Sequence, residues 1–228
     1  MMIRLDLNDP FQRELQDLRE VLLRMAGQVE AQIERALIAL RELDGETAEA
    51  VQRDDRLLNE AYRQLRERCF SLISSQGLGD RGVRLLIGIQ YIAVELERMG
   101  DYAVRIARRT CQLSQLPRMP LRAEFGIMRE LATQQVRDIL DALIENDAER
   151  AREVAGHDSE IDRLYDRIFD DLVQALAAEA EEHHDPDQVL RTVILIQAAH
   201  DLERIGDRVT NVAEDIVFLE SGRVVELG

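Results

Sequence analysis

Two stretches of this chain read almost alike: "LERMGD" at residues 96–101 and "LERIGD" at 202–207. Each sets a glutamate and an aspartate four positions apart, Glu97 with Asp101 and Glu203 with Asp207, with a glycine before the aspartate. On a helix, that spacing puts both carboxylates on one face. Like charges so placed cost roughly 0.2–0.5 kcal/mol, and a helical glycine costs up to about 1 kcal/mol relative to alanine. Writing the same penalties twice implies a role. Asp158 with Asp162 and Asp55 with Asn59 repeat the spacing. Oxygen-bearing side chains that converge from two helices make a site for a hard cation, or for iron, manganese or zinc.

The second motif belongs to a longer polar stripe of His200, Glu203, Asp207, Asn211 and Glu214. Its first-half equivalents are Val94, Glu97, Asp101, Arg105 and Arg108, so the uncompensated negative charge lies in the second half. A cation is therefore expected to prefer Asp158, Asp162, Glu203 and Asp207, with Asn211 nearby, over Asp55, Asn59, Glu97 and Asp101. His157 beside Asp158 reads as a bystander, and His183-His184-Asp185 as an interhelical turn.

Other chemistries fit less well. Every basic residue among the 29 is arginine, which excludes a Walker lysine or a lysine Schiff base. A di-iron oxidase needs paired Glu-x-x-His motifs; Glu181 and His184 have that spacing, but at a helix end and without a second copy. Cys69 and Cys111 form no CxxC motif, and Cys69 falls among apolar residues at helical spacing, as a buried thiol would. The leading reading is a non-enzymatic metal-binding protein; the alternatives are a helical scaffold without metal and, less favoured, a carboxylate-bridged di-iron oxidase.

The elements that must position these residues are helices. Asp9-Pro10 reads as an N-cap and first helical position, opening a helix to Leu43. "DGET" at 44–47 turns, a second helix runs to Ser75, and "QGLGD" at 76–80 leads to a third over 81–116. After "LPRMPL" the plan restarts: a helix over 121–145, one over 148–182 capped by Asp147, and one from Pro186 to Leu219 capped by Asp185. The tail from Glu220 is expected to be loosely held. Apolar residues in the third helix (Leu85, Ile89, Ile92, Leu96, Met99, Ala103, Ile106) and in the last (Leu195, Ala198, Leu202, Ile205, Val209, Val212, Ile216, Leu219) alternate steps of three and four, the seam of a packed helix. Tyr62 and Tyr165 occupy matching places and read as core. The expected fold is all-α: two tandem antiparallel three-helix bundles, residues 1–116 and 117–228, related by a pseudo-twofold axis.

The 228 residues carry a formal net charge of -16, the wrong sign for gripping nucleic acid. No stretch has the length and apolarity of a membrane span, and no apolar signal-like core opens the chain. A soluble, cytoplasmic protein acting through partners is expected.

The doubled LER-x-GD motif, with "RDDRLLNEAYRQLRERC" (53–69), "GHDSEIDRLYDRIFDDL" (156–172) and "ESGRVV" (220–225), resembles the PhoU family of phosphate-uptake regulators. In that family E(D)xxxD motifs on neighbouring helices bind metal clusters, one per half. By position the resemblance implies ligands at Glu97/Asp101, Asp158/Asp162 and Glu203/Asp207, with Asp55/Asn59 departing by its amide. It implies a divalent or multinuclear metal, of iron, zinc, manganese or magnesium. It further implies a homodimeric negative regulator of the phosphate-starvation response, linking the ATPase subunit of the phosphate ABC transporter to the sensor histidine kinase PhoR.

Overall fold

The computed structural model describes residues 10–75, 77–117, 123–182 and 185–227, with the side chains of Asp158 and of residues 179–182 outside that description. Seven helices follow one another: α1 (Pro10–Glu42), α2 (Gly45–Ser75), α3 (Asp80–Leu113), α4 (Ala123–Glu145), α5 (Ala148–Ala155), α6 (Asp158–Glu182) and α7 (Pro186–Ser221). No strand occurs among the described residues.

The helix ends follow local chemistry, and the two halves use the same device. α1 stops at Leu43 and α4 at Asn146, both in the left-handed region, with φ of 53° and 55°. The next residue closes the turn: the Asp44 amide donates to the Ala39 carbonyl, and the Asp147 amide to that of Ala142, each at 2.9 Å. The aspartate then caps the following helix. Asp44 accepts from the Glu46 and Thr47 amides, and Asp147 from those of Glu149 and Arg150. "DGET" is thus a cap and a first helical turn, since α2 begins at Gly45. Asp185 caps α7 through the Asp187 amide, with Pro186 at the first position. Asp9, His183 and His184 lie outside the described residues.

Two expectations need correction. The helix expected over 148–182 is broken into α5 and α6 at Gly156-His157. Glycine is a poor helix former, a Cβ there would press on the Glu153 carbonyl at 3.3 Å, and the His157 carbonyl is drawn off by the Gln135 amide at 3.0 Å. The C-terminal tail is also held more firmly than expected. Gly222, with φ 71°, ends α7, the Leu227 amide donates to Glu214 at 3.0 Å, and Val225 and Leu227 pack on the core.

The seams of α3 and α7 are buried apart from the half-buried Leu85 and Leu219 at their ends. Tyr62 and Tyr165 pack against the core, and Cys69 is fully buried, its thiol pushed up to about 11 by burial. α3 leans on α1 and α2, and α7 on α4, α5 and α6. α3 nevertheless packs on α7 as extensively as it does on α2, and one continuous apolar core runs through both repeats.

Candidate metal centre

The glycine inside the first motif marks a close helix approach. A Cβ on Gly100 would lie 2.3 Å from Leu58 Cδ2, 3.2 Å from Gln32 Oε1 and 3.7 Å from Asp55 Oδ1. Glycine therefore lets α2 lie close on α3 and carries Asp55 over the turn that holds Glu97 and Asp101. Gly206 is buried at the matching place of α7.

In the second half, Asp162 of α6 and Glu203 and Asp207 of α7 each offer a carboxylate oxygen, all within 4.8 Å of one another. Ligand oxygens on opposite sides of one hard cation stand about 4–5 Å apart, so this set fits an ion of that class. Burial, then Asp207 and Asp166, push the Asp162 carboxyl above its usual range. Crowded carboxylates of this kind are relieved by a cation or a proton. Arg204 reaches Asp207 at 2.7 Å and Arg208 at 3.5 Å. Asn211 turns instead to Glu95, donating at 3.0 Å. Asp158 lies at the start of α6, its side chain outside the described residues.

The first half assembles the same carboxylates differently. Burial, then Asp101 and Asp55, raise the Glu97 pKa; burial, then Asp55, raise that of Asp101, against the pull of Arg105 and Arg108. Both oxygens of Asp55 are taken by amides: Gln32 donates to Oδ1 at 3.0 Å and Asn59 to Oδ2 at 2.7 Å. Among the described residues no second trio as tight as Asp162, Glu203 and Asp207 forms.

Behind the motifs lie charges that the sequence reading passed over. Glu95 and Asp201 open the two copies of the motif and are buried, at 7% and 1% exposure. Asp201 pairs with Arg109 across the repeats. Glu95 accepts from Arg98 at 2.8 Å and, across the repeats, from Arg208 at 3.1 Å. Asp215, where the repeat offset from Arg109 leads, is pushed up to about 7 by burial, then by Glu95 and Glu214. Exposed Asp166 adds its charge to that on Asp162. Its position, four after Asp162 and eight after Asp158, was the available signal.

The comparison with known proteins matches this architecture twice over: the PhoU domain model matches residues 22–110 and again 125–216. The chain belongs to the PhoU family. A PhoU relative from Pseudomonas putida, a phosphate-specific transport system accessory protein PhoU homolog, is 34% identical over 217 residues, 95% of this chain and 82% of its own. The homolog of the same name from Clostridium acetobutylicum is 30% identical over 95% of this chain and 97% of its own. The crystal structure of PhoU from Pseudomonas aeruginosa superposes with a TM-score of 0.85 at 33% identity, covering 93% of this chain and all of that one. The phosphate transport system regulatory protein PhoU from Streptococcus pneumoniae superposes with a TM-score of 0.83 at 25% identity, over 95% of this chain and 100% of that one. No described helix is long and apolar enough to cross a membrane.

Proposed function

We propose that the chain is a metal-binding regulatory adaptor of phosphate uptake that restrains phosphate-starvation signalling. In this reading it works in the cytoplasm as a homodimer, without catalysis, and couples the ATPase subunit of the phosphate ABC transporter to the sensor histidine kinase PhoR. The accessory role rests on the relatives, whose names tie them to a phosphate-specific transport system. The observation that carries the metal part is the convergence of Asp162, Glu203 and Asp207. Those residues would hold the ion, and its charge would pin α6 to α7.

A scaffold without metal is the competing reading, favoured by the neutralisation of Asp207 by Arg204. Elemental analysis of protein purified without affinity tag or chelator separates the two: bound metal that is lost in Asp162→Asn supports the first, and metal-free protein the second. The adaptor role is tested by deletion. Constitutive expression of phosphate-starvation genes in the deletion strain supports it, and unchanged phosphate-regulated transcription and transport would sink it.

A further inference from the structure

Where α3 meets α7, an open groove of about 440 Å³ is lined by Glu97, Arg98, Asp101, Tyr102 and Arg105 from one repeat and by Arg204 and Arg208 from the other. Four guanidinium groups against two carboxylates give the lining a positive balance in a chain whose net charge is -16. Glu95 and Asp207, just behind the lining, pair with Arg98, Arg204 and Arg208 and offset part of that charge, which leaves Arg105 as the lining arginine without a carboxylate pair among the described residues. A guanidinium has five N–H donors in a fixed fork. Arg98 gives one nitrogen to Glu95 and Arg204 one to Asp207, and the half-exposed Arg98 keeps donors for further oxygens. The Arg105 guanidinium lies 4.9 Å over the Tyr102 ring. Tyr102 and Arg204 line the same groove from opposite repeats. Charge on this side is mixed: burial, then Arg204 and Arg109, hold His200 below its usual pKa against the pull of Asp207, while burial and neighbouring acids raise Glu97 and Asp101.

We propose that this groove is an oxyanion site, in which Arg105 and Arg204, backed by Arg98, hold a free tetrahedral dianion of the phosphate class across the junction of the two repeats. A carboxylate engages one fork, whereas a tetrahedral dianion presents oxygens to several forks at once. Glu97 and Asp101 share the groove and oppose the anion, so the affinity belongs in the millimolar range rather than the nanomolar. The groove shares Glu97 and Asp101 with the first-repeat acidic cluster, and its Arg204 pairs with Asp207 of the second; anion binding and metal binding are nonetheless read by separate measurements.

The test is a heteronuclear NMR titration of the full, metal-stripped chain with inorganic phosphate, and in parallel with phosphoserine as a phosphoryl group carried on a side chain. Saturable shifts at α3 and α7 with inorganic phosphate are expected, with affinity lowered about tenfold or more in Arg105→Gln/Arg204→Gln. Arg53→Gln, whose guanidinium pairs with exposed Glu49 on α2, should bind as the unaltered chain does. Should the double variant fail to fold, Arg105→Gln alone carries the test, because its side chain is exposed; a loss of about threefold is expected. No saturable shift with inorganic phosphate, binding of phosphoserine only, or equal weakening by Arg53→Gln would each overturn the proposal.

Discussion

The two repeats carry one motif and put it to different ends. Gln32 and Gln135 occupy equivalent places, 103 positions apart. In the first repeat the amide of Gln32 reaches into the acidic cluster and donates to Asp55. In the second it misses the cluster and donates to the His157 carbonyl at the α5–α6 break. Asn59 completes the capping of Asp55, whereas its counterpart Asp162 is a further carboxylate. Beyond it, Arg63 in one repeat answers to Asp166 in the other. The first repeat thus turns two amides on its acidic cluster, where the second brings in a further carboxylate, Asp162. A duplicated motif therefore reports shared geometry, while the identity of its neighbours decides what can bind.

The sharpest way to break this comparison is to neutralise one motif aspartate at a time. Asp207→Asn is expected to weaken metal binding about tenfold, and Asp101→Asn by only a few-fold, because each charge at a partly exposed site is worth on the order of 1 kcal/mol or more and Arg105 and Arg108 already offset Asp101. Competition titrations with a chromogenic chelator measure both. Equal losses would show the two sites to be alike.

A second contrast lies in the buried charges behind the motifs. In one repeat Asp201 faces Arg109; at the corresponding place Glu95 faces Asp215, an acid against an acid. The folded chain keeps the Asp215 proton up to about pH 7, while an unfolded chain releases it near pH 4. Stability from this group is full below pH 4 and falls as the pH rises towards 7. Asp215→Asn removes the ionisation, so it should stabilise the protein by about 2 kcal/mol at pH 8 and by little near pH 4. Urea unfolding at both pH values checks this, and a pH-independent effect would refute it.

Smaller effects sharpen the packing side. Gly100→Ala inserts a methyl group into the contact with Leu58 and should destabilise by about 1–2 kcal/mol, read from thermal unfolding. Asn59→Asp restores the missing carboxylate and should raise first-repeat metal affinity about three- to tenfold. It is best measured in an Asp207→Asn background, where the second site no longer masks it.

Helical periodicity made most of the fold legible in advance. The seams of α3 and α7, the caps at Asp147 and Asp185 and the restart after "LPRMPL" depend on local spacing and backbone chemistry, which neighbours in sequence reveal. The four-residue acidic pairs were legible for the same reason. What escaped depended on neighbours distant along the chain. Nothing near Gln32 says that its amide will lie over Asp55, 23 residues on. The burial of Glu95 and Asp201 was equally hidden: each stands next to the apolar seam, and only the approach of the other repeat encloses it. The break at Gly156 needed the donor from Gln135 as well as the glycine.

The cross-repeat pairing of Glu95 with Arg208 spans 113 positions, and that separation sets an order of events at the ribosome. At about 5–20 residues per second, roughly 6–20 seconds pass between the emergence of the glutamate and that of its arginine. Throughout that interval α3 has no α7 to lie on, so its seam and its carboxylate stay in contact with water or with whatever binds nascent chains. Until then Glu95 has only Arg98 of its own helix, and the second repeat must arrive before Arg208 joins it.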